Sequence, residues 1–415
     1  MLAMRSSHRS SFQLTAAAFL TLLLLSSDAF AQWPSLNQAV SSAKENSLGS
    51  VQARSAVDVA RSTEQGARMS SFLNPTLEVV GDRGHHTKDV QIQGYLYLPL
   101  EVAGQRSSRI REAQNLTSWK SSERGVAEAE SAGLACLAYG DAMVAGARIS
   151  EARQALKDAE AELAWVRGRK SAQDATIVDE NLAVSEVGRW AQLRAESEIQ
   201  LLGARQRLAV LMGASTVVSP PDQNNTEPPV LRHVSSMDYR AMALSSPLLR
   251  SLDSESSFWS SVAERASKDK YAPVSLVLAG GRGDLGETRV GAGVAVSFPV
   301  LRRNQGEVAR AEAEQGRVVA TRAAITTAIE ARFQGAYQSY HAALDALRIA
   351  DQSALPAARS VVDSSLVAYR AGKIDYVHVL IARRDYAAAL SRRLDLVAAA
   401  WRAYSEITAL RGELP

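Results

Sequence analysis

Two aspartates and a histidine stand just after two short turn signals, at matching places in the two halves of the chain. Asp174 follows Ser171 in the first half, and Asp375 follows Gly372 in the second, with His378 one helical turn further on. Carboxylates that face a narrow aqueous passage can hold cations and bias ion selectivity, and a histidine there would change its charge near neutral pH. A plainer interpretation exists for each residue, because aspartates are preferred helix caps and histidines are common on surfaces. The sequence leaves both interpretations open.

Other reactive side chains do not form a catalytic or metal-binding pattern. His85 and His86 are adjacent in a segment expected to join two strands, where neighbouring side chains point apart and chelate poorly. Cys136 is the only cysteine and lies in an alanine-rich helical stretch, so we expect a packing role without a disulfide. A helical-bundle metal oxidase needs paired Glu-x-x-His ligands, and none stands around His341 or His378. We therefore predict no enzyme activity, no cofactor and no metal centre.

The first 31 residues predict a cleaved export signal. Arg5 and Arg9 precede an apolar stretch from Leu14 to Leu25, and the small-residue site Ala29-Phe30-Ala31 follows. After residue 31 no apolar run reaches the roughly 18 to 20 residues of a membrane helix, so the chain is either soluble or crosses a membrane as strands. The nearly balanced charge, 47 basic and 44 acidic residues, gives no indication of a nucleic-acid partner.

The two halves of the chain resemble each other, with a repeat of roughly 200 residues. Landmarks recur at a nearly constant offset: Asn74–Val79 with Ala272–Val277, Leu96–Leu100 with Val296–Val300, Asp174 with Asp375, and Leu211–Gly213 with Leu410–Gly412. We predict a first repeat at 32–215 and a second at 236–415. The proline-rich stretch at 216–235 shows no packing pattern, and we expect it to be a connector on the surface.

Each repeat carries two strand patterns, near 76–84 and 90–99 in the first and near 274–281 and 289–298 in the second. Their lengths are close to the roughly 9 to 11 residues of a tilted membrane strand. In the last of them Val290, Val294 and Phe298 fall on one face, whereas Arg289 and Ser297 fall on the other. This alternation is typical of lipid and lumen faces, but two ordinary hairpins packed on a helical core would show it too.

Long helices are predicted after each pair of strands. From Gln105 to about Arg167 the sequence has no proline and is rich in helix formers, which predicts a rod of roughly 90 Å, too long for a compact domain. In the second repeat the apolar spacing averages about 3.67 residues, which favours nearly straight helices. The apolar positions are Ile325, Ile329, Phe333, Ala336, Tyr340, Leu344 and Leu347. Pro356 is expected to bend or interrupt this second rod.

Four strands are too few to close a barrel around a pore, and open strand edges are not tolerated in hydrocarbon. A membrane protein of this kind therefore requires identical chains to pool their strands, and three copies would supply twelve. The long helices would continue the barrel as a helical wall. We predict a mixed α/β membrane protein, mostly α: a trimer with a twelve-stranded transmembrane β-barrel, four strands from each protomer, and a long helical barrel.

Several motifs resemble those of the TolC-like outer-membrane efflux proteins, over essentially the whole chain after the signal. They are Asn74–Val79 and Leu98–Arg111 in the first repeat, Phe298–Gly306 at the corresponding turn of the second, and Tyr369–Asp375 near the periplasmic tip. The sequence is similar in particular to the CzcC-like branch, which serves cobalt, zinc and cadmium export. The fold implied by this resemblance is the trimeric duct predicted above.

The resemblance implies a homotrimer in the outer membrane of a Gram-negative cell, embedded in lipid, with its helices in the periplasm. Its partners would be a periplasmic adaptor protein and an inner-membrane transporter of the resistance-nodulation-division (RND) class, which would supply the energy and choose the substrate. Heavy-metal cations are the implied cargo, with drugs and secreted polypeptides as alternatives. A soluble periplasmic coiled-coil adaptor is the rival of another class, although it leaves the duplicated strand pairs unexplained.

The resemblance also bears on the turn residues. Family members often carry aspartates at the position of Asp375 and three and six residues further on, where they help to form a constriction. This sequence keeps Asp375 but has His378 and Ile381 at the other two positions, so a complete acidic ring does not carry over. Asp174, Asp375 and His378 are our candidates for the pore at the periplasmic gate.

Overall fold

The structure is a computed structural model that describes residues 33–70, 74–83, 90–216, 220, 226–231, 236–271, 274–282, 287–296, 301 and 303–415. The expected signal peptide at 1–31 lies outside these residues, and so do His85, His86 and Phe298. In the described ranges the chain is mostly helical and carries one four-stranded sheet.

The elements follow the same order in the two halves of the chain. In the first half, α1 (Leu36–Asn46) and α2 (Leu48–Arg68) precede β1 (Thr76–Arg83) and β2 (Val90–Leu100), and α3 (Gln105–Ser171) and α4 (Ile177–Met212) follow. In the second half, α5 (Ser236–Leu244) and α6 (Pro247–Lys268) precede β3 (Val274–Arg282) and β4 (Thr288–Val296), and α7 (Gln305–Ile349), α8 (Leu355–Arg370) and α9 (Tyr376–Arg411) follow. Among these helices none is both long enough and apolar enough to cross a bilayer.

Residues with left-handed backbone conformation mark the same boundaries in both halves. Three pairs have positive φ at matching places: Gly104 and Asn304 before α3 and α7, Gln173 and Gly372 after α3 and α8, and Gly213 and Gly412 after α4 and α9. Glycine adopts this conformation without a Cβ penalty, and asparagine tolerates it. These shared turns explain why the two halves resemble each other at short landmarks near the element boundaries rather than over long identical stretches. The repeat boundaries at 32–215 and 236–415 stay a prediction.

The four strands form one antiparallel sheet in the order β1-β2-β3-β4. β2 and β3 come from different halves of the chain and pair from Ile92 with Arg282 to Leu100 with Val274. This pairing joins the two predicted hairpins into a continuous sheet. The strand bounds lie within one or two residues of the predicted ones.

The register gives this sheet one apolar and one polar face, because directly opposite residues in antiparallel strands point to the same side. The apolar face consists of Leu77, Val79, Gly81, Arg83, Val90, Ile92, Gly94, Leu96, Leu98, Leu100, Val274, Leu276, Leu278, Gly280, Arg282, Thr288, Val290, Ala292, Val294 and Val296. The polar face includes Glu78, Asp82, Gln91, Gln93, Tyr95, Tyr97 and Arg289. On that face the Tyr97 hydroxyl donates to Oε2 of Glu78 at 2.9 Å.

No helix in the described part of the chain covers this sheet. All eight residues of β1 are exposed, as are eight of the nine in β4. Val290 is 86% exposed and Val294 66% exposed, whereas a hairpin packed on a core would bury such side chains. The alternative of two ordinary hairpins packed on a helical core is therefore wrong for the described strands.

The core lies among the helices, chiefly where α3, α7 and α9 pack together. Of the seven apolar positions predicted for α7, five are buried and the other two, Ile325 and Leu344, pack against the same core. Cys136 is fully buried in this core, which confirms its predicted packing role. α3 and α9 approach closely at Gly140, where an added Cβ atom would lie 2.5 Å from Cγ of Trp401.

The two long rods differ as predicted. α3 is one continuous helix of 67 residues, about 100 Å long. In the second half a π-helical turn at Ala350–Ala354 separates α7 from α8, and the Leu355 N–H donates to the carbonyl of Ala350, five residues back. Pro356 explains the interruption, because it has no N–H and its ring excludes the carbonyl four residues earlier.

The connector between the halves is packed into the helical bundle over residues 226–231. Thr226 and Leu231 are buried. The Trp401 indole N–H donates to the Thr226 carbonyl at 2.7 Å, and the Tyr340 hydroxyl donates to the Pro229 carbonyl at 2.6 Å. The prediction of a surface connector without packing is therefore wrong for this segment. Its partners lie more than 100 residues away in sequence, so the local proline-rich composition could not reveal them.

Candidate functional site at the turn end of the helices

Two turns close the end of the helical bundle that lies away from the sheet. They are the α3–α4 turn at 172–176 and the α8–α9 turn at 371–375. Their backbones match, because the Asp174 N–H donates to the Arg169 carbonyl and the Lys373 N–H to the Ala368 carbonyl, each at 2.9 Å. Together with the left-handed residue in each turn, this is the Schellman pattern that ends helices.

The structure brings all three predicted site residues to this end, which we call the turn end. Asp174 is exposed in the first turn, Asp375 is exposed at the last position of the second, and His378 is exposed on the first turn of α9. The His378 N–H donates to the Asp375 carbonyl at 3.1 Å. Asp174, Asp375 and His378 therefore all lie at one solvent-facing end of the protomer.

The helix-cap interpretation has different outcomes for the two aspartates. α4 is capped by Thr176, whose hydroxyl accepts from the Asp179 N–H while Asp179 accepts from the Thr176 N–H. Asp174 lies before this capping box, so its interpretation as a cap is wrong. Asp375 does occupy the N-cap position of α9, but its side chain makes no capping hydrogen bond.

An aromatic cluster holds the two turns together. The ring centroids of Trp165 and Tyr369 lie 5.2 Å apart, and those of Tyr369 and Tyr376 lie 5.3 Å apart. The guanidinium carbon of Arg169 lies 5.2 Å from the ring centroids of both Trp165 and Tyr369, which is cation–π geometry. Tyr369 and Tyr376 are buried together with Val166, Ala183, Val379 and Leu380.

A buried charge cluster lies next to the aromatic residues, and sequence analysis missed it. Glu162 on α3 and Glu186 on α4 are only 7% and 2% exposed. Nη2 of Arg383, on α9, lies 2.7 Å from Oε2 of Glu162, although neither carboxylate oxygen of Glu162 has a partner with hydrogen-bond geometry. Glu186 pairs with Arg189 and accepts from the Trp190 indole N–H at 2.8 Å. The cluster therefore ties α9 to the α3–α4 pair.

Burial is the main cause that raises the pKa of the Glu162 carboxyl above its ordinary value. The Arg383 guanidinium opposes this rise, and the negative charge of Glu186 adds to it. More weakly, Arg370 lowers the pKa of Glu162 and Asp158 raises it. The protonation of Glu162 is therefore coupled to the position of α9, which carries the main opposing charge.

A cleft of about 710 Å³ opens beside this ion pair. Its walls come from α3, α4, α8 and α9, and they include Glu162, Trp165, Trp190, Tyr369 and Arg383. The cleft separates α8 from α3 except near the end of α8, where Tyr369 packs on Trp165 and Arg169. The contact between α3 and the second half at this level therefore runs mainly through α9. The turn end thus has room for its helices to shift.

The charge cluster did have a sequence signal. On α3 the buried residues Leu156, Ala159, Glu162 and Val166 are spaced three or four apart, as are Ala183, Glu186 and Trp190 on α4. A charge inside an apolar stripe of helical period is out of place on a solvated face. Arg383 has the same signal, because it follows the buried residues Tyr376, Val379 and Leu380 on α9 by seven, four and three residues.

Metal and thiol chemistry find no support in the described residues. No group of three or more His, Cys, Asp or Glu side chains in that part of the chain could hold a metal ion. Burial raises the pKa of the Cys136 thiol to about 12, so the thiolate that reacts with metals and oxidants is suppressed.

No protein-family model matches the chain. A curated relative is the cobalt-zinc-cadmium resistance protein CzcC of Cupriavidus metallidurans, with 24% identity over 366 residues, covering 85% of this chain and 84% of CzcC. Among solved structures, CusC superposes with a TM-score of 0.74 at 15% identity, covering 91% of both chains. The outer membrane protein VceC of Vibrio cholerae superposes with a TM-score of 0.71 at 15% identity, covering 92% of this chain and 97% of VceC.

The chain has the TolC-like outer-membrane channel fold. The resemblance predicted from the motifs, to TolC-like proteins and to their CzcC-like branch, is confirmed, and so is the fold class. The similar TolC-like proteins are channel and resistance proteins rather than enzymes, which agrees with the expected lack of catalysis. The predicted outer-membrane localisation agrees with them as well.

Proposed function

We propose that this chain is one protomer of a homotrimeric outer-membrane duct, the passive exit component of a tripartite RND-type efflux system. The observation that carries the proposal is the uncovered four-stranded sheet, with an apolar face, a polar face and two unpaired edges at β1 and β4. Such edges are not tolerated in lipid unless other chains pair with them, and such an exposed apolar face is unfavourable in water.

Pairing β4 of one protomer with β1 of the next would close a twelve-stranded barrel from three copies. The apolar face would meet lipid and the polar face would line the lumen. α3, about 100 Å long, would carry the wall of the duct from the barrel into the periplasm. The predicted division into two repeats, 32–215 and 236–415 around the connector 216–235, gives each protomer two similar wall segments.

The turn end would be the periplasmic tip, where the adaptor protein docks and the duct opens. Asp174, Asp375 and His378 are exposed there, and we place them at the gate. The buried Glu162–Arg383 pair and the adjacent cleft would have to rearrange between two packed states as the gate twists. The energy for transport would come from the inner-membrane transporter.

The proposed cargo is heavy-metal cations. Its support is the 24% identity with the resistance protein CzcC over most of both chains. The duct itself needs no metal ligands for this function, because a wide aqueous lumen passes whatever its transporter delivers.

The test is to express the chain in a Gram-negative host and purify it from outer-membrane fractions. We expect a detergent-requiring trimer that forms conducting pores in planar bilayers. In a strain that carries the matching adaptor and transporter, its removal should lower tolerance to cobalt, zinc and cadmium. A water-soluble monomer without conductance would overturn the duct, and unchanged metal tolerance with lost tolerance to organic toxins would reassign the cargo to drugs.

Replacing Asp375 with Ala should lower the cation preference of the open pore by roughly two- to threefold, because three carboxylates leave a narrow passage at once. The measurement is the reversal potential of single channels in a salt gradient. Asp58→Ala is the matched control, since it removes an exposed carboxylate from α2, outside the turn end. An unchanged reversal potential in Asp375→Ala would remove this residue from the gate.

A further inference from the structure

The apolar face of the sheet ends in charge at one rim only. Among its described residues Arg83 and Arg282 are the only charged side chains. Arg83 is the last residue of β1 and Arg282 the last residue of β3, so both stand where their strands enter the hairpin turns, away from the helices. The opposite rim of the same face ends in Leu77, Leu100 and Val296, which are uncharged.

As far as the described residues extend, both arginines are free to bind an external partner. Each is exposed, and neither guanidinium forms a hydrogen bond or ion pair with another residue in the described ranges. Exposed arginines on a surface commonly find a nearby carboxylate, as Arg111 does with Glu264 at 2.6 Å. On the apolar face the described strands offer no carboxylate to either of them, because Glu78 and Asp82 lie on the polar face.

The distance along the sheet places these charges at a membrane surface. Val274 and Arg282 are eight residues apart on β3, a rise of about 26 Å. This matches the lipid-facing apolar band of outer-membrane barrels, about 25 Å tall. An arginine on the lipid-facing side is strongly destabilising at the middle of that band but costs little at its edge. The apolar face therefore tolerates both arginines only at the level of lipid headgroups.

The spacing of the two arginines suits a phosphorylated headgroup. Arg83 is paired with Val90, and Arg282 with Ile92, so the arginines are two strands apart and two residues out of level. Ladder geometry then sets their Cα atoms about 12 Å apart. Two flexible side chains of this length can converge on one phosphate or hold two phosphates of one lipid, and guanidinium binds phosphate through two parallel hydrogen bonds.

We propose that Arg83 and Arg282 form a binding site for the phosphate groups of a lipid in the outer leaflet, of the bisphosphorylated lipid A type. The proposal rests on the proposed outer-membrane duct and goes beyond it, because it assigns a specific anionic lipid to one rim of each protomer. Three such sites would surround the trimer and fix its depth and orientation in an asymmetric membrane.

Arg289 provides the matched control. It lies opposite Gly281, close to the level of Arg282, but on the polar face that the duct turns toward its lumen. It is exposed, as Arg83 and Arg282 are. A charge reversal at Arg289 changes the net charge of the rim without touching the lipid-facing side.

The experiment compares the full mature chain with R83E/R282E, R83Q/R282Q and R289E, each purified as a trimer and placed in phosphatidylcholine vesicles with or without lipid A. We expect lipid A to raise the thermal unfolding midpoint of the wild type and of R289E. Both double variants should lose this response, with lipid A occupancy in native mass spectrometry at least about tenfold lower, the loss expected from about 1.4 kcal/mol or more of charge-assisted hydrogen bonding.

Several outcomes would overturn the site. If the wild-type trimer conducts ions but lipid A does not raise its thermal unfolding midpoint, the lipid site is wrong and the proposed duct still stands. Equal losses in R289E and R83Q/R282Q, which each lower the charge of a protomer by two units, would show that only overall charge matters. An equal response to inorganic phosphate in place of lipid A would show that no membrane lipid is required. If R83E/R282E does not assemble, R83Q/R282Q decides, since it removes the charge without reversing it.

Discussion

Arg383→Met is expected to destabilise the protein by about 3 to 5 kcal/mol, the usual cost of removing one partner from a buried ion pair. Arg383 and Glu162 expose only 13% and 6% of their side chains, so solvent screens the pair little. The substitution leaves a buried carboxylate next to Glu186 and Asp158, with only the weaker influence of Arg370 to oppose them. The measurement is thermal unfolding of the detergent-solubilised protein, followed by circular dichroism.

The loss of stability in Arg383→Met should depend on pH, and the raised pKa of Glu162 determines the direction of that dependence. Without Arg383 that pKa rises further, so the folded state keeps its proton to higher pH than the unfolded state does. The contribution of this group to stability is then complete below its ordinary carboxyl pKa and is lost as the pH rises through the folded-state value. Arg383→Met should therefore lose more stability at pH 8 than at pH 5.

Two further variants separate the charge effect from lost packing. Glu162→Gln/Arg383→Met should recover most of the lost stability, because it removes the orphaned charge. Arg348→Met breaks an ion pair with Asp345 whose partners are 63% and 65% exposed, and it should change stability by about 0.5 kcal/mol or less. A loss in Arg383→Met that is independent of pH, or that persists in the double variant, would contradict a charge-based role.

Gly140→Ala is expected to destabilise the protein by about 1 to 3 kcal/mol, because a new methyl group overpacks the contact between α3 and α9. Its Cβ atom would lie 2.5 Å from Cγ of Trp401. Trp401 cannot easily move away, since it is buried and its indole N–H is bonded to the Thr226 carbonyl. The same thermal unfolding measurement applies.

Gly125→Ala is the matched control on the same helix. No atom lies within 4 Å of the position its Cβ would take, and alanine favours helix over glycine, so this variant should gain about 0.5 to 1 kcal/mol. A loss of stability in Gly140→Ala together with a gain in Gly125→Ala would locate the close helix contact at Gly140. If both variants gained stability, the close approach of α3 to Trp401 would be refuted.

The close contact also connects the helical bundle to the connector. Trp401 packs against Gly140 on α3, and its indole N–H donates a hydrogen bond to the Thr226 carbonyl. The Tyr340 hydroxyl on α7 donates to the Pro229 carbonyl of the same connector. The connector therefore links α7 and α9 near the middle of the helical bundle, far from the turn end. We expect gate motion to be confined to the turn end, where the cleft lies.

Much of the fold could be predicted from local sequence, because local physics determines it. Alternating side chains predicted the four strands within one or two residues, the absence of proline predicted the long α3, and Pro356 predicted the break before α8. The apolar spacing from Ile325 to Leu347 predicted the buried face of α7. Each of these features depends on neighbours within about one or two turns of the chain, so the sequence carries it directly.

Tertiary structure decided the features that depend on partners distant in sequence. The pairing of β2 with β3 aligned both hairpins so that a single face is apolar, and only this register shows that Arg83 and Arg282 share it. The burial of Glu162, Glu186 and Arg383 required three helices to converge, because the apolar stripe around each charge does not show which charges will meet. Residues 226–231 look like a free linker until Trp401 and Tyr340 pack on them. Sequence alone determined the elements and the polarity of their faces through backbone periodicity, whereas burial of charges and pairing of distant segments depend on how those faces meet in space.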